Sequence, residues 1–120
     1  MDKVTYIAVD FDGTIVTNQY PEVGELMPGA LATLKEWKER GKTIIVWTCR
    51  EDEYAEAAKA FLNKEGVPFD LFNENPPELI EKYGNDCRKL GADFFIDDKA
   101  TFGGSVDWWE VRRLSRYCWS

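Results

Sequence analysis

Histidine is missing from the 120-residue chain. Its absence excludes Ser-His-Asp and Cys-His catalysis and removes the commonest ligand of a zinc site. Cysteine is scarce: Cys49, Cys87 and Cys118 are scattered and odd in number. With no signal-like segment, that usage predicts reduced thiols in a cytoplasmic protein. Positive charge is in deficit, with 15 Lys and Arg against 22 Asp and Glu and a net charge of −7. Such a balance argues against nucleic-acid or anionic-membrane partners recruited by charge. No apolar run approaches the length of a membrane span. Repeats, linkers and low-complexity stretches are also lacking, so 1–120 is expected to be one domain, large enough for one sheet with covering helices and too small for two cores.

What is present begins with Val4-Thr5-Tyr6-Ile7-Ala8-Val9-Asp10-Phe11-Asp12-Gly13-Thr14. Its apolar, β-branched first half suits a strand buried on both faces of a parallel sheet. Asp10 and Asp12 cannot continue such a strand into a core, because unpaired buried charge is too costly. The strand must deliver them to the crevice beyond the carboxyl ends of an α/β sheet. Spaced two apart, their side chains point the same way, and such closely set like charges call for a cation. Gly13 permits a sharp turn and a close approach. An EF-hand loop is excluded, since its twelfth position would be Pro21.

The rest of the chain alternates. Ile15 to Gly24 reads as a loop or small hairpin flap. A helix follows over Ala30 to Arg40, with Leu31, Leu34, Trp37 and Lys38 on one face and Gly41 ending it. Thr43 to Trp47 reads as a second buried strand, ending on Thr48-Cys49-Arg50. A second helix spans Glu51 to Lys64, with Ala55, Ala58, Phe61 and Leu62 inward. Val67 to Phe72 reads as a third strand near the sheet edge, because of Pro68. A short helix is expected from Pro77 to Lys82, irregular chain from Gly84 to Leu90, and a fourth strand over Ala92 to Ile96 that ends on Asp97-Asp98-Lys99. After a glycine-bearing loop from Thr101 to Ser105, Asp107 to Tyr117 reads as a last helix. Its Trp108, Val111, Leu114 and Tyr117 are expected to face the sheet, and Trp37, Trp47 and the terminal aromatics are read as core. This alternation predicts a Rossmann-like three-layer α/β domain: a parallel sheet of about four to five strands, the first one central, and helices on both faces.

Parallel strands bring Asp10 and Asp12, Thr48, and Asp97 and Asp98 to one sheet edge. In type and order these residues resemble the motifs of the haloacid dehalogenase (HAD) superfamily: D-x-D-G-T after the first strand, Thr or Ser after the second, a Lys, then paired acids. Lys89, ahead of Leu90-Gly91-Ala92-Asp93, matches the lysine. The resemblance covers nearly the whole chain and implies a Mg²⁺-dependent phosphohydrolase. In that reading Asp10 attacks phosphorus and forms an aspartyl-phosphate. Asp12 protonates the leaving oxygen and later activates water. Thr48 and Lys89 hold the phosphoryl oxygens, aided by backbone N–H groups at Phe11, Asp12 and Cys49. Asp10, Asp97 and the Asp12 carbonyl support the metal, and Asp98 either joins them through water or orients Lys89. The acid at position 12 favours phosphoryl transfer over dehalogenation. The intervals between motifs leave no room for a cap domain, so substrate contacts are expected from the flap and from Thr14, Arg50 and Asn73. Slow turnover at so open a site suggests a homo-oligomer acting on a small phosphorylated metabolite.

Other roles fit individual residues. Thr48 also suits a helix N-cap, Lys89 a solvated surface position, and Asp98 a salt bridge with Lys99 or Arg50. A phosphoacceptor receiver domain would use similar residues, but its acceptor Asp follows the third strand, where Phe69 to Asn73 ends without one. A silent binding module that keeps the fold is the remaining alternative. Phosphatase assay with and without Mg²⁺ separates the three.

Overall fold

The computed structural model describes residues 5–78, 81, 92–98 and 106–119. Strands β1 (Tyr6–Asp10), β2 (Thr43–Trp47), β3 (Leu71–Phe72) and β4 (Phe94–Ile96) form one sheet in the order β3-β2-β1-β4. All pairs are parallel, with Asp10 opposite Trp47 and Val9 opposite Ile96. The first strand is therefore interior, as its apolar run requires: Ile7, Ala8 and Val9 are buried. Among the described residues, helices α1 (Ala30–Glu39), α2 (Asp52–Lys64) and α3 (Trp108–Cys118) pack with the sheet.

Alternation along the strands sorts the core. Ile7, Val9, Ile44 and Val46 join Ala30, Leu34 and Trp37 of α1, Ala58 and Leu62 of α2, and Trp108 of α3 in one cluster. Ala8 and Ile45 lie in a second cluster with Leu71 and Ala92, on the opposite face. The short helix expected at Pro77 to Lys82 and the irregular chain after it lie largely outside the described residues, as does the Thr101 to Ser105 loop. The opposite end of the sheet is clipped by acids. Asp93 accepts from the Thr5 and Tyr6 N–H groups, and Asp70 accepts from Ile44 N–H and Lys38 Nζ.

Three expectations change. The third strand shrinks to two residues at the edge, since Pro68 has no N–H to give a ladder. Trp47 is 38% exposed rather than core. On α3 the inward stripe is Trp108, Val111, Ser115 and Trp119, while Leu114 and Tyr117 face outward. Ser115 sets that register: the Trp37 indole N–H donates to its Oγ at 2.9 Å, an approach no bulky side chain would allow. Arg112 and Arg116 of α3 close on Glu36 of α1 and hold its carboxyl below its usual range.

Candidate active site

Just past β1 the chain coils tightly: the Phe11 carbonyl accepts from the N–H groups of Thr14, Ile15 and Val16. Gly13 takes φ +82°, and a Cβ there would stand 2.5 Å from Asp98 Oδ2. The missing side chain is the space into which Asp98 folds. One carboxylate oxygen each of Asp10, Asp97 and Asp98 lies within 4.8 Å of the other two. Burial, then the Asp97 charge, push Asp10 up to about 7; a hydrogen bond from the Phe11 backbone works the other way, and Asp98 and Asp12 add to the rise. A divalent cation would neutralise that crowding, and an all-oxygen donor set suits a hard one.

The Asp10, Asp97 and Asp98 carboxylates converge; the Asp12 carboxylate, expected at the metal only through its backbone carbonyl, stands apart. Arg50 grips it from Nε and Nη2, both at 2.7 Å. The same guanidinium donates to the carbonyls of Pro21, Glu22 and Tyr54. All five of its N–H donors are thus used inside the protein, and Arg50 is 2% exposed. Arg50 therefore secures Asp12 and the flap, besides standing in the wall of the cavity where a substrate contact was expected of it.

Thr14, by contrast, is not placed to meet a substrate. It is fully buried, its hydroxyl donating to Asp10 Oδ2 at 3.4 Å and accepting from Asp98 N–H at 3.1 Å. Asn73 has its amide committed to the Thr48 backbone, Oδ1 accepting from N–H and Nδ2 donating to the carbonyl. It sits at φ +54° and prolongs the β2–β3 pairing by one side chain. Phe11 is core through its ring.

Thr48 and Cys49 remain at the site. Thr48 Oγ1 accepts from the Arg50 N–H at 3.2 Å, which leaves the hydroxyl hydrogen to donate elsewhere. The N-cap of α2 is Glu51, so Thr48 is not that cap. An open cavity of about 410 Å³ is lined by Asp10, Asp12, Asn18, Tyr20, Thr48, Cys49 and Arg50. Its outer wall is the flap, a small hairpin in which Thr17 N–H donates to Glu25 O and Met27 N–H to Ile15 O. Lys89 lies outside the described residues. The sequence places Thr14 and Arg50 near the site, because both closely follow strand ends, but does not reveal their role as supports of the acids.

No protein-family model and no curated protein matches the chain. A solved structure of a conserved protein from Bacteroides thetaiotaomicron does, with 36% identity and a TM-score of 0.84 over 98% of this chain and 94% of that one. The chain belongs to the family of that conserved protein. Its relative matches it nearly end to end, which makes the single α/β architecture a property of the family.

Proposed function

We propose that the protein is a Mg²⁺-dependent phosphohydrolase of the HAD type, acting on a phosphate monoester. The observation that carries this reading is the meeting of Asp10, Asp97 and Asp98 beside a cavity that also holds Thr48 and Asp12. Asp10, Asp97 and Asp98 would hold the ion, which when bound offsets the repulsion between an anionic nucleophile and a phosphate ester. Asp10 Oδ attacks phosphorus, the ester oxygen leaves, and an aspartyl-phosphate forms on Asp10. For this step one Asp12 oxygen leaves the Arg50 fork and carries a proton, which it gives to the departing oxygen and regains from the water that cleaves the acyl-phosphate. The Thr48 hydroxyl and the Cys49 N–H donate to the phosphoryl oxygens. Tyr20 and Asn18 of the flap face the leaving group.

The cavity volume suits a small phosphorylated metabolite in a cytoplasmic enzyme, and a second subunit would help to exclude water. The test is release of inorganic phosphate from a panel of phosphorylated metabolites, with Mg²⁺ and with chelator. Turnover with Mg²⁺ that disappears in chelator and in Asp10→Asn supports the reading. No turnover, with acyl-phosphate accumulating from a small phosphodonor, would favour a receiver-like role instead.

A further inference from the structure

A second organising centre stands beside the acidic trio. Arg50 is a buried cation whose five donors reach three separate pieces of chain: the Asp12 carboxylate, the flap carbonyls of Pro21 and Glu22, and the first turn of α2 at Tyr54. Its guanidinium carbon lies 5.4 Å from the Phe11 ring centre and 5.1 Å from that of Tyr20, so aromatic faces complete the enclosure. Tyr20 in turn packs on Tyr54 with ring centres 5.8 Å apart.

We infer that Arg50 is a positioning residue that couples the flap to Asp12, so that the outer wall of the cavity and the aim of that carboxylate are set together. A bidentate fork fixes the plane of a carboxylate in a way a point charge cannot. Here the N–H bonds left over from the fork end on the flap backbone. A shift of the flap carbonyls pulls on the guanidinium and turns Asp12; loss of the Asp12 charge frees the guanidinium and loosens the flap. Asp12 and the tip of the flap are therefore one mechanical unit, although hairpin hydrogen bonds alone join them along the chain.

The coupling does not depend on the reaction; its kinetic consequence rests on the phosphohydrolase reading. Hydrogen exchange tests the first part. Asp12→Asn keeps the side-chain shape, removes the charge and leaves the guanidinium its three carbonyl acceptors, and circular dichroism with the β1 and β2 amides as internal reference verifies that the sheet is intact. The amides of Thr17, Glu25 and Met27 should exchange about ten- to a hundredfold faster in Asp12→Asn, the scale of a lost charge-assisted pair, while those of β1 and β2 keep their protection. Arg50→Lys should do the same, because an ammonium cannot span three partners. Flap exchange that is unchanged in Asp12→Asn would overturn the coupling. Steady-state kinetics test the second part: Arg50→Lys should lose about a hundredfold in kcat with KM nearly unchanged, the mark of a misaimed group rather than a lost binding contact. A change confined to KM would overturn the positioning role. A parent protein without phosphatase activity, in which Asp12→Asn still loosens the flap, would uphold the coupling and dismiss the phosphohydrolase reading alone.

Discussion

The indole N–H of Trp108 donates to the Thr14 carbonyl at 2.7 Å, inside the core. The first residue of α3 thereby anchors the loop that follows β1, and Thr14 passes the anchor on. Its hydroxyl touches Asp10 Oδ2 and receives the Asp98 N–H. One buried threonine joins the helix layer to two acids at the sheet edge.

Thr14→Val keeps the shape and deletes the hydroxyl. The Asp98 N–H then loses its acceptor, at a cost of about 1–3 kcal/mol. Chemical denaturation should show a lower midpoint with an unchanged slope, and titration with a divalent cation a weaker affinity. A variant matching the parent in both would remove Thr14 from the site's support.

Asp10 makes the metal-free protein's stability depend on pH in a defined direction. Its folded value, about 7, lies above the ordinary 3.8. Between those values the native chain keeps a proton that the unfolded chain has released. Stability from this group therefore falls as pH rises from about 4 to about 7, and is level on either side. Asp10→Asn lacks the effect, so the difference in stability between variant and parent should widen across that window and close when a divalent cation is added. A constant difference from pH 4 to 8 would contradict the crowding of the three acids.

Gly13→Ala meets two obstacles: φ of +82° and a Cβ 2.5 Å from Asp98 Oδ2. Strain of roughly 1–2 kcal/mol from the left-handed backbone adds to displacement of the carboxylate. Expected are a lower melting temperature and loss of most cation affinity. An alanine variant that binds the cation as the parent does would mean that Asp98 is not held by this gap.

Asp12→Ala should slow the hydrolysis of alkyl phosphates far more than that of activated aryl phosphates, by about a hundredfold or more against about tenfold. A departing phenolate needs little help from a proton. Equal losses on both substrate types would take leaving-group protonation away from Asp12.

The sheet and its acids were legible because their signals are local. Ile7 to Val9 announces a doubly buried strand, and Asp10, Thr48 and Asp97 each follow such a run directly. The supports were not legible, because their partners are remote: nothing near Arg50 in the sequence points to Asp12, or near Thr14 to Trp108. Helix α3 failed differently. Leu114 and Tyr117 fit a helical stripe as well as Ser115 does, and only the Trp37 indole, seeking an acceptor in the core, turns the helix toward Ser115.

Strand β4 has three residues, lies at the edge of the sheet and leads straight into two of the three clustered acids. Its register with β1 joins distant parts of the chain, and such pairings close after local ones. The electrostatic penalty of the trio therefore falls on the docking of β4 against β1. A cation that binds only the docked arrangement draws that step forward by mass action. Filling the site would then act as the fastener of the sheet's outer seam, and the β4 amides, rather than those of β1, would be the ones whose exchange responds to it.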